Sequence, residues 1–163
     1  MHTRVRRWIV FACLVLGLFL IFGPVREDEA RADGSEEQRL VELINEYRQA
    51  NGLGPLVPSG TLSVAAGRHS EDMAEYGFFS HISEASSYYP VGDSQYDRLA
   101  LEGYPAFSYT TENIAFGQLT AQEVFETWLL SPDHDANMLD GSYTSIGIGD
   151  AGPYWTANFG TVT

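Results

Sequence analysis

The chain has 163 residues, in which 22 acidic side chains outnumber nine arginines and lysine is absent, so its formal net charge is −13. Such an excess of negative charge argues against nucleic acid and anionic membrane surfaces as partners. The one cysteine, Cys13, lies near the N-terminus. The rest of the chain therefore has no disulfide, no cysteine metal cluster and no thiol nucleophile.

The first 32 residues have the pattern of a secretory leader. Three arginines at positions 4, 6 and 7 precede an unbroken run of 16 apolar or small residues, Trp8 to Gly23, and Ala30-Arg31-Ala32 forms a small-x-small cleavage site. We predict a signal peptide that ends at Ala32 and a protein secreted by the general route to the cell surface or beyond. An N-terminal membrane anchor is the alternative, although a spanning helix prefers roughly 20 residues.

Residues 33–163 are predicted to form a single domain that begins with helices. Two capping boxes, Ser35 with Gln38 and Thr120 with Glu123, each precede apolar residues at helical spacing. The predicted helices lie between Ser35 and Gly52, from about Thr61 to Glu75, from about Gln95 to Glu102, and between Thr120 and Pro132. Pro55 and Pro58 indicate a turn, and the aperiodic residues 80–93 indicate a long loop.

Strands are predicted mainly towards the C-terminus. Residues 109–116 form one strand candidate, and residues 145–149 and 154–159 form two more, joined by a turn at Gly152-Pro153. Because helices come first and two adjacent strands come last, the order predicts an α+β layered domain rather than a doubly wound one.

Two histidines and one glutamate are candidates for a functional site. His81, Glu112 and His134 are separated by 31 and 22 residues, so only the fold can bring them together. Imidazole and carboxylate groups often transfer protons or bind metals. We treat all three as candidate catalytic residues, with Ser80 and Ser131 beside the histidines as alternative nucleophiles. His69 lies on an apolar helix face, and we interpret it as a partly buried helix histidine beside the core rather than a ligand.

The chain resembles the CAP superfamily, which includes SCP/TAPS, cysteine-rich secretory, antigen 5 and pathogenesis-related 1 proteins, in its bacterial secreted branch. The resemblance covers about residues 35–160 and rests on sequence blocks in the family's order: residues 43–48, 69–74, 78–81, 112–115, 131–139, 146–149 and 154–156. It implies a three-layer α-β-α sandwich with a central, mainly antiparallel sheet and a cleft above that sheet.

The family's cleft residues can be carried over one at a time. Its two histidines match His81 and His134, and its first glutamate matches Glu112. The second glutamate of animal members follows a helical tryptophan by three residues; here that tryptophan matches Trp128, and Ser131 occupies the glutamate position. The resemblance therefore implies a ligand cleft formed by His81, Glu112, Ser131 and His134.

Two interpretations of this cleft stay open from the residues. His81 and His134 could bind Zn²⁺ at about 2.0–2.1 Å, with Glu112 orienting a ring or a water. Alternatively, the three side chains form a hydrogen-bonded cluster that ties loops to the sheet. No other cofactor is indicated.

Two functions from different classes follow. The first is a non-enzymatic extracellular binding module for a small apolar ligand or a cell-envelope partner, suggested by the aromatic segments 87–90 and 104–109. The second is a metal-dependent, protease-like hydrolase that uses His81, Glu112 and His134. The sequence favours the first, because no nucleophile elbow or His-Glu-x-x-His helix is present. A membrane would be contacted only through an uncleaved N-terminal segment.

Overall fold

Helices and a small sheet alternate along the part of the chain that the computed structural model describes, residues 35–105 and 108–161. In chain order the elements are α1 (Glu36–Ala50), β1 (Val57–Pro58), α2 (Gly60–Tyr76), α3 (Gln95–Leu101), β2 (Thr110–Phe116), α4 (Ala121–Leu129), α5 (Pro132–Leu139), β3 (Ser145–Ala151) and β4 (Tyr154–Gly160). The predicted leader, with Cys13, lies outside the described residues, as do Ala106 and Phe107. Within the described ranges, no helix is long and apolar enough to cross a membrane.

The strands form one sheet in the order β1-β3-β4-β2. β4 pairs antiparallel with both β3 and β2, whereas β1 runs parallel to β3. The predicted α+β fold, with a mainly antiparallel central sheet, is therefore confirmed. Pro58 belongs to an edge strand rather than to a turn, because an edge position does not require the backbone N–H that proline lacks.

Helix starts follow the capping residues found in the sequence. The Gln38 backbone N–H donates to Ser35 Oγ at 3.3 Å, and the Ser35 N–H donates back to Gln38 Oε1 at 3.1 Å. Thr120 and Glu123 form the equivalent box at α4. Both predicted boxes are confirmed, and they satisfy backbone donors that have no partner within the helix.

The main core lies on one face of the sheet. Side chains from α1, α4 and α5 pack there against alternate residues of β3 and β4: Leu40, Leu43, Ile44, Val124, Phe125, Trp128, Met138, Ile146, Ile148, Trp155, Ala157 and Phe159. Trp128 and Trp155 are 0% and 1% exposed, as expected for core residues rather than ligand platforms.

Helix α2 covers the opposite face, which completes the three-layer sandwich. Gly147 and Gly149 alternate with Ile146 and Ile148 along β3, so they face α2 rather than α1. A Cβ atom on either glycine would collide with the α2 backbone. Their lack of a side chain is what lets the helix lie directly on the strand.

In the predicted loop after α2, backbone hydrogen bonds join the two ends, and further hydrogen bonds attach the middle to α2. The Ser83 N–H donates to Asp93 O at 2.9 Å, and the Gly92 N–H donates to Ser83 O at 2.8 Å. Asp72, buried on α2, accepts hydrogen bonds from the Ser87 N–H at 2.9 Å and from the Ser86 hydroxyl. We call residues 83–93 the Ser83–Asp93 loop. It is ordered by polar contacts although it contains no helix or strand.

Candidate ligand cleft

His81 and Glu112 meet at the start of this loop. Glu112 projects from β2 with a side chain that is 2% exposed, and the His81 side chain is 52% exposed. Their Nδ1 and Oε1 atoms are 2.9 Å apart. Because an ionised carboxylate only accepts hydrogen bonds, the Nδ1–H of His81 donates. The lone pair of the neutral ring is then on Nε2, the atom that a ligand can use.

Arg98 holds the other oxygen of Glu112. Its Nη2 donates to Glu112 Oε2 at 2.7 Å, and both side chains are buried. Its Nη1 donates to the carbonyl oxygens of His81 at 3.0 Å and Asp93 at 3.2 Å. One guanidinium therefore joins the carboxylate to His81, just before the Ser83–Asp93 loop, and to Asp93 at the end of that loop. Arg98 was not predicted as a site residue, although its position between Gln95 and Leu99 on the buried face of α3 was a usable signal.

These contacts keep Glu112 ionised. Burial by itself would raise the pKa of Glu112, but the hydrogen bond from His81 and the positive charge of Arg98 outweigh that effect and lower it. A carboxylate held in this way orients the His81 ring and has no free proton to donate at neutral pH.

A second histidine, His134, lies on α5, with its backbone tied to β2. Its carbonyl oxygen accepts from Asn113 Nδ2 at 3.1 Å, and its ring packs against Trp128 with centroids 6.2 Å apart. Burial lowers the pKa of His134, and the nearby His81 lowers it further. Its buried Nδ1 has no hydrogen-bond partner among the described residues. Ser131 is the N-cap of α5, three residues before His134, without a capping hydrogen bond from its side chain.

The direct contact in the predicted trio is therefore between His81 and Glu112. A cavity of about 320 Å³ opens beside this pair, and its lining residues are His81, Ile82, Ser94, Gln95, Tyr96, Thr111 and Glu112. The link to His134 is electrostatic: after burial, the nearby His81 contributes to the lowered pKa of His134. That Ser131 and His134 contribute to the cleft stays a prediction.

The described residues contain no group of three or more His, Cys, Asp or Glu side chains that could hold a metal ion. A two-histidine site is a smaller arrangement, and the chemistry of its donors is suitable. His81 has one ring nitrogen held by a buried carboxylate, an arrangement common among metal-bound histidines. His134 favours its neutral form and has an unpaired Nδ1. Zinc binding by His81 and His134 accordingly stays a prediction.

A third histidine, His69, holds the backbone next to His81 in place. It is fully buried on α2 beside Phe78, and its Nε2–H donates to the carbonyl oxygen of Ser80 at 2.9 Å. This contact fixes the residue that precedes His81. A helix histidine beside the core was predicted, but as a partly buried one; the structure buries His69 completely, on the same helix face as Leu62, Ala65, Ala66 and Met73.

The buried position of His69 predicts a pH dependence. Burial lowers the pKa of His69 to about 4, below its ordinary value of 6.5. Protons then favour the unfolded chain, so the stability that the neutral ring confers is complete above pH 6.5 and is lost as the pH falls towards 4. The full loss is about 3 kcal/mol. NMR titration of the His69 ring should show a midpoint near pH 4, and a midpoint near 6.5 would contradict this assignment.

Comparison with known proteins identifies the family. Residues 41–159 match the cysteine-rich secretory protein family, CAP. The chain belongs to the CAP family. The CAP domain is 39% identical over 127 residues to the uncharacterized protein YkwD of Bacillus subtilis, which covers 76% of this chain and 46% of that protein. It is 34% identical over 125 residues to the uncharacterized membrane protein YlbC of the same organism, covering 77% of this chain and 34% of YlbC. The chain thus spans less than half the length of either relative.

Solved structures agree with the CAP fold. An extracellular protein containing a SCP domain from Bacillus anthracis superposes with a TM-score of 0.72 at 27% identity, over 86% of this chain and 45% of the other. An outer surface protein from Borrelia burgdorferi superposes with a TM-score of 0.67 at 22% identity, over 78% and 93% of the two chains, and supports the fold alone. The family and the three-layer fold expected from the sequence are confirmed.

Proposed function

We propose that this CAP domain is a non-enzymatic binding module that works outside the cell or on its surface. The location is supported by the leader pattern and by similarity to proteins described as extracellular or outer surface. The observation that carries a binding role is the state of Glu112. Both of its oxygens are engaged within the protein, by His81 and Arg98. The carboxylate therefore positions His81 and leaves the imidazole to contact the ligand.

Divalent metal is the first ligand to test, and Zn²⁺ suits two neutral imidazoles. We expect calorimetry to detect Zn²⁺ binding at pH 7.5. The affinity should fall by about tenfold or more in His81→Ala and in His134→Ala, the range seen when a metal site loses a ligand or its orienting partner. Glu126→Gln, which changes an exposed acid on α4, provides the matched control. Equal affinity in all four proteins would remove the metal part of the proposal.

The second ligand to test is a small apolar molecule or a cell-envelope partner. The aromatic segments expected to bind it are divided: Tyr89 and Tyr104 are buried, whereas Tyr88 and Tyr109 are exposed. Exposed Phe116 forms a further aromatic cluster with exposed Phe79 and half-buried Tyr154, with ring centroids 6.1 and 4.4 Å away. Native mass spectrometry of micromolar protein with a lipid panel tests this part; retention of no lipid, or unchanged retention in Phe116→Ser, counts against it.

The alternative function is a metal-dependent hydrolase. The 2.9 Å contact between His81 and Glu112 favours it, because this is the geometry of a general base and its orienting group. In that case His134 would help to hold a Zn²⁺ ion that supplies Lewis-acid polarisation, and His81, oriented by Glu112, would stay off the metal so that its Nε2 could move a proton. Zn²⁺-dependent cleavage of unfolded casein, abolished in His81→Gln, would establish this alternative over the binding role.

A further inference from the structure

A second concave surface lies on the far side of β3 from β4. It encloses about 380 Å³ between α1 and the start of α2. Its apolar lining comes from Val41, Pro58, Ile146 and Ile148, and Glu37 and Glu42 lie at its rim. None of these residues lines the cavity beside His81. We call this surface the edge groove.

The groove exists because β1 is short. Strand β1 pairs only with Ser145 and Ile146. Among the described residues, no strand pairs with the rest of β3, residues 147–151, along that edge. The chain turns into α2 at Gly60 instead of continuing beside β3. Space is thereby left between α1 and the strand edge.

Glu37, which lines the groove, meets a second carboxyl group, that of Asp150. Ile146, Ile148 and Asp150 are alternate residues of β3, so their side chains share the face that is directed towards α1. Asp150 there meets Glu37 of the first turn of α1. Burial raises the pKa of Asp150 to about 6, and the adjacent carboxyls of Glu37 and Glu36 act in the same direction. Near neutral pH the pair therefore carries close to two negative charges at a single place.

The arginines of the described residues are engaged elsewhere. Arg39 pairs with Glu42 at 2.9 Å and so compensates that rim carboxylate. Arg68 pairs with Glu102, and Arg98 pairs with Glu112. Arg48 donates to backbone carbonyls near the end of α5, including that of Met138 at 2.8 Å. Among the described residues, no arginine therefore pairs with Glu37 or Asp150.

We propose that the edge groove binds a ligand with an apolar body and a protonated amine, with the amine between Glu37 and Asp150. A concave, mainly apolar surface with a few convergent polar groups is the usual form of a small-molecule site, and its volume falls within the usual range of about 300–1,000 Å³. The ammonium group relieves the repulsion between the carboxylates, and the apolar body covers Val41 and Ile148. This inference is independent of the role proposed for His81.

The test compares three probes of equal chain length on the full chain at pH 7.5: octylammonium, octanol and octanoate. Calorimetry should give octylammonium an affinity about fivefold or more above that of octanol, as expected for a partly screened charge pair, and no binding of octanoate. In Glu37→Gln/Asp150→Asn the preference for octylammonium over octanol should disappear. Lowering the pH from 7.5 to 5 should weaken octylammonium binding to the wild type, because protons then compete for the pair.

Control variants separate charge from shape. Val41→Ser, at a half-buried groove position, should weaken octylammonium and octanol alike, and Glu126→Gln on α4 should change neither. Equal affinity for octylammonium and octanol, or an unchanged preference in the double variant, would overturn the proposal. Binding abolished by His81→Ala would also overturn it, by assigning the ligand to the other cavity. Binding of a lysine-containing peptide without octylammonium binding would replace the small ligand with a protein partner.

Discussion

Replacing Arg98 with methionine is expected to lower the unfolding free energy of the domain by about 3–5 kcal/mol, the usual penalty when one partner of a buried ion pair is removed. The Arg98 and Glu112 side chains are 1% and 2% exposed, so the remaining carboxylate would keep a buried negative charge without its arginine partner. The carbonyl oxygens of His81 and Asp93 would also lose a donor. Urea unfolding followed by tryptophan fluorescence measures the change.

Two variants test whether charge is the reason. Arg98→Met/Glu112→Gln removes both charges, so it should recover part of the lost stability. Arg39→Met removes an arginine from a solvent-screened, exposed pair with Glu42 and should leave the unfolding free energy nearly unchanged. If the double variant is less stable than Arg98→Met alone, the packing of the guanidinium rather than its charge holds the cleft.

The second large effect is expected from Gly147→Ala. The added methyl would overlap the backbone nitrogen of Ser63 and the carbonyl carbon of Leu62, so no side-chain rotation can relieve the contact. Either α2 or β3 must move, and we expect a loss of about 3 kcal/mol or more, at the upper end of overpacking effects. Thermal unfolding should show a correspondingly lower midpoint.

Gly141→Ala is the matched control for this prediction. Its added methyl would lie 3.5 Å from Leu53 Cδ2, which is ordinary van der Waals contact. We expect its stability to stay within about 0.5 kcal/mol of the wild type. Similar losses in the two variants would mean that backbone entropy, rather than contact between α2 and β3, determines the result.

The parts of the fold that local chemistry decides were predictable. The capping boxes at Ser35 and Thr120 mark the starts of α1 and α4, and the left-handed Gly77 ends α2. Each of these signals acts within a few residues, so the sequence alone contains it. Strand β1 was missed because its two residues, Val57 and Pro58, are too short to show a period.

The cleft was predictable only as a set of residues. The family resemblance placed His81 and Glu112 together, and their contact at 2.9 Å agrees with it. Arg98 was not found, because its partners Glu112 and His81 are 14 and 17 residues away and meet it only after β2 has joined the sheet. Long-range polar contacts of this kind depend on tertiary packing, which local sequence patterns do not record.

The hydrogen-bonded ends of the Ser83–Asp93 loop allow its length to vary, in engineered proteins and in natural relatives. Because backbone hydrogen bonds join its two ends, the length of chain between them can change while those ends stay 2.8–2.9 Å from their partners. Lengthening a closed loop costs little, about 0.6 kcal/mol for each doubling. Val91, which is 72% exposed within the loop, is the natural point of attachment for a fluorophore or a spin label. A reporter placed there would leave in place the contacts of Glu112 and Arg98 that position His81.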